Sequence, residues 1–484
     1  MREKSRDTVG HHIAGRRVAG TSGRSAPVFD PARGEVVCQV ALASTEEVDR
    51  AVDVAVGAAP GWARAPLAQR TEVMFEVRAA LRRGIGELAE LITRENGKTL
   101  ADALGEVRRG LESVEFACGL AANTAGTHST SVASGVDVHS LREPLGVVGC
   151  ITPFNFPVMV PLWMLANALS VGNAVVFKPS ERAPSAPLRL VELMEGAGLP
   201  RGVLNVVNGD KSAVDRILDH TSIDAISFVG STPVASSIYT RASAAGKRVQ
   251  ALGGAKNHMV VLPDADLAAA ADAAIGAAYG AAGERCMAVS AVVAVGPAAD
   301  GLVAALAERL GRLRVGPGTE EVDYGPLVTA AHRARVASYL DLAHEQGAEI
   351  VVDGRTHPVC DGPGFFLGPS LLDRVTTGMT PYQDEIFGPV LSVLRVETLN
   401  DALRMVNENP YGNGTAIFTR DGRAARRFER ESKIGMVGVN VPIPVPVGWF
   451  SFGGWKSSLF GDSHMYGPDG VRFFTRQKVV TARW

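Results

Sequence analysis

Between residues 146 and 262 short apolar runs alternate with helical segments, and that rhythm leaves few folds open. The runs are "GVVGCITP", "NAVVFKPS", "GVLNVVNG", "DAISFVGS", "RVQALGG" and "NHMVVLP", separated by helix-like text such as "PSAPLRLVELMEGAGLP" and "TPVASSIYTRASAAG". Strands apolar at every position are covered on both faces, and the intervening helices provide the cover and the crossover. The predicted class is α/β, with a doubly wound, Rossmann-type parallel sheet. A second α/β rhythm over about 263–440, whose helix "DADLAAAADAAIGAAYGAAG" runs up to Cys286, predicts a second such domain.

The rest of the chain reads differently. Residues 45–125 are helical in pattern, and Ser44 followed by Glu47 makes a capping box at their start. The polar, β-branched segment 126–143 and the C-terminal "VRFFTRQKVVTARW" both alternate, which predicts a small β ribbon of the kind that pairs across a subunit boundary. Prolines 442, 444 and 446 forbid a helix and force an extended course beside "GWFSFGGWKSS". The expected division is therefore 1–125 with 144–250 as one domain, 251–440 as the second, 126–143 with 465–484 as the ribbon, and 441–464 as an extended loop.

Several function classes drop out. Nothing between Pro144 and Phe177 is charged, but Pro153, Pro157 and Pro161 would break a spanning helix, so no membrane segment is expected. The 49 Lys and Arg against 51 Asp and Glu leave a formal charge of −2, which gathers neither nucleic acid nor anionic lipid. Five cysteines (Cys38, Cys118, Cys150, Cys286 and Cys360) form an odd set with no CxxC pair, so no metal site and no disulfide framework is expected. The charged N-terminal text lacks the apolar core of a secretory signal, and the cytoplasm is the expected compartment.

No GxGxxG follows a strand and opens a helix. Gly230 and Ser231 stand between the strand 224–229 and the next helix, where free N–H groups can face a phosphate or simply make a turn and cap. Lys178 and Glu181 follow an apolar strand, at the sheet edge where doubly wound folds bind ligands, though a solvated strand end reads the same way. Cys286 fits a small buried hydrophobe as well as a nucleophile. A lone cysteine in alanine-rich text is more often the first, Glu284 and Arg285 directly before it count for the second because a guanidinium near sulfur stabilises thiolate, and the two readings stand even.

Taken together, "PFNFP" (153–157), "FKPSE" (177–181), "FVGST" (228–232), "LGG" (252–254), "GERC" (283–286), "EIFGPV" (385–390) and "SFGG" (451–454) resemble the aldehyde dehydrogenase superfamily in order and spacing, over nearly the whole chain. "GAKNH" (254–258), "GERCMA", "NVPIPVPV" (440–447) and "SFGGWKSSLFGD" resemble its CoA-acylating methylmalonate-semialdehyde branch. The resemblance implies the aldehyde dehydrogenase fold, with an NAD-binding first domain, a catalytic second domain and a ribbon-built homotetramer, a dimer of dimers. It implies Cys286 as nucleophile and Asn155 as oxyanion donor, and Arg285 with Arg109 as a clamp for the substrate carboxylate. It places Thr152, Phe154, Lys178, Glu181, Arg182, Gly230, Ser231 and Glu385 along the cofactor. Glu181, which would repel a 2′-phosphate, implies NAD.

One departure stands out: the family's hydrolytic members carry "ELGG" with a glutamate base, whereas this chain has "ALGG", with Ala251 in that place. Water, with a pKa of about 15.7, needs a positioned base, and a thiol near 8.5 needs far less help. The expected reaction is therefore NAD-dependent oxidation of methylmalonate or malonate semialdehyde, decarboxylation, and transfer of the acyl group to coenzyme A. Propionyl-CoA or acetyl-CoA would be the product. Two rivals stand beside it: a CoA-independent hydrolytic NAD(P) enzyme whose base comes from elsewhere, and a non-catalytic binding protein on the same fold.

Overall fold

The computed structural model describes residues 8–484; residues 1–7, part of the first expected domain, lie outside them. An eight-stranded sheet runs in the order Leu459–Phe460, Arg248–Leu252, Ala225–Val229, Val147–Ile151, Ala174–Lys178, Leu204–Val206, His11–Ile13, Arg16–Val18. Its five central strands are parallel, and antiparallel strands close both edges. The order reverses between Val147–Ile151 and Ala225–Val229, and at such a switch point the loops leaving the carboxyl ends part to form a crevice. Those loops carry residues 152–158 and 230–231.

Both faces of this sheet are covered. Helices Leu67–Arg83, Leu100–Cys118 and Met159–Ser170 pack on one side, and Thr45–Arg64, Lys211–Asp219 and Thr232–Ala244 on the other. The uncharged stretch 144–177 is thus a buried strand, a buried helix and a second buried strand. Among the described residues no helix is long and apolar enough to cross a membrane.

A seven-stranded sheet runs Glu349–Val352, Ser370–Asp373, Val390–Val396, Val289–Val295, Asn257–Val261, Gly414–Phe418, Met436–Val439, all parallel except the first. Alanine dominates the buried face of its helix Leu267–Tyr279, which lets that helix lie close to the strands. Apart from the two sheets, Thr475–Arg483 pairs along its whole length with Val136–Pro144, and His128–Ala133 joins the other side.

The structure departs from the sequence reading at three borders. Arg248–Leu252 crosses the expected break at 250/251: Ala251 and Leu252 pair with Phe228 and Val229, and the strand ends only at Gly253 and Gly254. Residues 465–474 are not ribbon, because Gly467–Phe473 is a helix whose Val471 and Phe473 are buried in the first core. The loop 441–464 contains Trp455–Lys456, paired with Tyr411–Gly412, and Leu459–Phe460 on the first sheet's edge.

Candidate active site

Asn155 sits in the loop that leaves Val147–Ile151 at the switch point, and its buried Nδ2 donates to the carbonyl of Glu284 at 3.0 Å. Cys286 reaches the same place from the second domain. The helix Leu267–Tyr279 ends in a sharp reversal where Ala281, Ala282 and Gly283 hold φ of 50°, 54° and 72°. That conformation is costly for alanine and here turns the chain back toward the crevice. At Gly283 a Cβ would lie 2.3 Å from the carbonyl oxygen of Gly388, so only glycine fits. The carbonyl of Cys286 accepts from Asn257 Nδ2 at 2.9 Å and Asn413 Nδ2 at 3.1 Å, which fixes the residue from both sides.

Two cavities meet at Cys286. The smaller, about 490 Å³, is lined by Lys98, Asp102, Arg109, Trp163, Arg285 and Val445 among others. Arg109 pairs with Glu112 at 2.7 Å and donates to the carbonyls of Val445 and Pro446 at 3.3 and 3.2 Å, so the proline-rich loop holds this guanidinium. Arg285 Nη2 donates to Asp102 Oδ1 at 2.7 Å. Arg108 is exposed and lines neither cavity.

The larger cavity, about 870 Å³, is lined by Phe154, Glu181, Arg182, Gly230, Ser231 and Glu385 among others. Lys178 bonds Glu181 at 3.0 Å, and the Arg182 guanidinium lies 5.1 Å from the Phe154 ring centroid. Ser231 opens the helix Thr232–Ala244 without capping it by its side chain. Thr152 and Lys178 stand behind the lining rather than in it, and the buried Thr152 hydroxyl has no partner. Glu385 Oε1 accepts from the Ala255 N–H at 2.8 Å. Among the described residues no group of acidic, histidine or cysteine side chains could hold a metal ion.

The chain matches the aldehyde dehydrogenase family over residues 18–480. It belongs to that family. As an aldehyde dehydrogenase it is 54% identical to the malonate-semialdehyde dehydrogenase of Pseudomonas aeruginosa, over 98% of this chain and 96% of that one. Its fold matches the crystal structure of methylmalonate-semialdehyde dehydrogenase from Oceanimonas doudoroffii with a TM-score of 0.97, at 53% identity, covering 99% and 98% of the two chains. A Sinorhizobium meliloti 1021 structure, provisionally described as a methylmalonate-semialdehyde dehydrogenase and complexed with NAD, gives a TM-score of 0.98 at 51% identity and covers 100% and 99%.

Electrostatics in this aldehyde dehydrogenase correct one expectation. Burial pushes the Cys286 thiol up to about 12, and the neighbouring Glu385 adds to the rise. Arg285 favours the thiolate, but its influence on the sulfur is smaller than that of burial, of Glu385 and of the nearby backbone N–H groups. A guanidinium adjacent in sequence is not the dominant charge when its own partner is Asp102 and the thiol is desolvated. Burial also raises Glu385 to about 7, opposed by the Ala255 N–H and the charges of Lys256 and Arg335. Glu284, completely buried, is raised to about 8 for the same reason.

Several residues of the site carried no sequence signal. Asn257 lies within the quoted "GAKNH" without an assigned role, and Asn413 lies in no quoted motif. Lys98 and Glu106 are a charged pair in helical text, and only burial distinguishes them from a solvated face. Asp102 reads as an ordinary first-turn helix acid.

Proposed function

We propose that this aldehyde dehydrogenase oxidises malonate or methylmalonate semialdehyde with NAD and delivers the decarboxylated acyl group from Cys286 to coenzyme A. The observation that carries this reading is that Cys286 is common to the linings of both cavities, one bearing Arg109 and Arg285, the other Glu181, Ser231 and Glu385.

The larger cavity suits a dinucleotide. The uncapped N–H groups after Ser231 and Gly230, where a Cβ would meet the Phe228 ring at 2.4 Å, form a cradle for a close-approaching pyrophosphate, with the orphaned Thr152 hydroxyl buried behind the lining. Glu181, oriented by Lys178, accepts from ribose hydroxyls and disfavours a 2′-phosphate, and Phe154 and Arg182 flank that path. Glu385 serves the second ribose. NAD held there would supply the acceptor for the hydride that leaves the substrate.

In the smaller cavity Arg109 and Arg285 grip the substrate carboxylate through charge-assisted bonds, which sets the aldehyde carbon beside Cys286. Cys286 gives up its proton to solvent, and the small thiolate fraction so formed adds to that carbon. Asn155 Nδ2 has two N–H groups; the bond to Glu284 fixes the amide, and the second N–H, with the Cys286 N–H, receives the oxyanion. One such donor is worth roughly 3–4 kcal/mol. Loss of hydride leaves a thioester. Its β-carboxylate departs as carbon dioxide, the electron pair passes into the thioester carbonyl held by the same donors, and a solvent proton completes the acyl group.

Discharge needs a nucleophile. Ala251 is fully buried in its strand and carries no base, and Gln250 is committed to Ser227 at 2.8 Å and the carbonyl of His464 at 2.5 Å. The coenzyme A thiol needs less activation than water. The hydrolytic, CoA-independent reading is favoured by one observation, Glu385 near neutrality in a cavity lined by Cys286. Assaying NADH formation and product identity with and without coenzyme A separates the two: acyl-CoA formed only in its presence supports thiolysis, and free acid formed equally fast without it supports hydrolysis. The exposed three-stranded ribbon supports assembly as a homotetramer, which native mass measures directly.

A further inference from the structure

We infer that Lys98 and Glu106 are positioning residues for acylation, a buried ion pair that fixes the loop carrying Asn155. The inference rests on the role proposed above for Asn155. The two side chains are 2% and 0% exposed and lie 2.8 Å apart. Lys98 follows the helix Ile85–Asn96, and Glu106 is on the helix Leu100–Cys118.

Beyond the bond that joins them, the side-chain hydrogen bonds of the pair end on one short stretch of main chain. Lys98 Nζ donates to the Asn155 carbonyl at 2.5 Å and lies 4.2 Å from the Phe156 ring centroid. Glu106 Oε1 accepts from the N–H groups of Val158 and Met159 at 2.8 and 3.1 Å. Those N–H groups open the helix Met159–Ser170, which has no side-chain cap of its own, so the carboxylate of another helix caps it. Asn96 Nδ2 adds a bond to the Phe154 carbonyl at 3.2 Å. The connection that supplies Lys98 is itself rigid. Gly97 has φ +89°, with no room for a Cβ beside Pro326, and Gly325 packs on its carbonyl.

Apolar residues would fill this space at less cost in desolvation. What the pair supplies and they cannot is directional hold on both sides of Asn155, at its carbonyl and at the helix start three residues on. With the main chain pinned, the Asn155 amide has one direction in which to present its free N–H. A displacement of about 1 Å at such a donor can cost about 100-fold in rate. Because Lys98 and Glu106 also border the smaller cavity, a direct contact with substrate carboxylate is the competing role for Lys98.

A double-mutant cycle distinguishes these roles. Lys98→Met and Asn155→Ala are made singly and together in the full-length enzyme, and the rate of NADH formation is followed in a single turnover with malonate semialdehyde. Lys98→Met is expected to slow that step by about 100-fold with little change in KM. In the Asn155→Ala background it should cost no more than about twofold, because its route of action is gone. Glu106→Gln and the doubly apolar Lys98→Met/Glu106→Leu, which leaves no unpaired buried charge, repeat the cycle if the single lysine variant does not fold. Costs that multiply in full with Asn155→Ala, or a raised KM at unchanged kcat, overturn the inference. An Asn155→Ala enzyme as fast as its parent would instead refute the oxyanion role on which the inference stands.

Discussion

Arg285 and Asp102 are joined by a 2.7 Å hydrogen bond at the cavity that ends on Cys286, so one face of the proposed substrate clamp is already occupied by a carboxylate of the chain itself. A substrate carboxylate must displace Asp102 or share the guanidinium with it. Asp102→Asn should therefore lower KM for malonate semialdehyde by up to about tenfold with kcat little changed. Arg285→Ala should raise KM by about 10- to 100-fold, the worth of a charge-assisted bond. Turnover of an uncharged aldehyde of equal length should respond to neither. Steady-state kinetics on both substrates checks this, and equal losses for charged and uncharged aldehydes would contradict the clamp.

The thiol of Cys286 is raised to about 12, with Glu385 contributing, so its thiolate is a small fraction at neutral pH. Alkylation of the cofactor-free enzyme by iodoacetamide should then rise by about tenfold per pH unit between pH 7 and 9, with no plateau. Glu385→Gln removes a negative charge from beside the sulfur and should speed alkylation several-fold at any fixed pH in that window. Mass spectrometry of the modified peptide reads both effects.

Glu284 is held at about 8 against an ordinary 4.5. Its folded-state value is raised, so the stability it contributes is complete below about pH 4.5 and is lost as pH climbs through about 8. Glu284→Gln keeps the bond from the Val328 N–H but cannot ionise. The melting temperature of the variant relative to the parent should thus increase by a few degrees between pH 5 and pH 8. Calorimetry across that range checks it, and a difference independent of pH would refute it.

Ala251→Glu puts a carboxylate where the hydrolytic members of the family carry one. It should raise CoA-independent release of free acid at least about tenfold, given that a positioned base is worth about 10²–10⁴. Because Ala251 is fully buried, it should also lower stability. Rates measured without coenzyme A, beside thermal unfolding, test both halves.

The two doubly wound sheets were legible because their central strands are near-continuous apolar runs, a pattern that survives without knowledge of tertiary contacts. The edge strands His11–Ile13 and Arg16–Val18 were not, since polar residues pair there and no periodicity announces them. Motifs marked Cys286 and many of the residues that line the larger cavity beside it, because turns and loop ends have distinctive local chemistry. Lys98, Glu106 and Asn413 act through contacts more than fifty residues away, on Asn155, Val158 and Cys286, and nothing local encodes them. Arg285 shows the opposite error: adjacency in the chain suggested an activated thiol, and burial governs it instead.

The most direct test of the account is a single turnover of malonate semialdehyde with NAD in the absence of coenzyme A, quenched and examined for an acyl adduct on Cys286, followed by a chase with coenzyme A. An adduct on that residue, stable until the chase and then converted to acetyl-CoA, is the predicted result. Release of free acid at the same rate with and without the chase, or an adduct on any other residue, would contradict it.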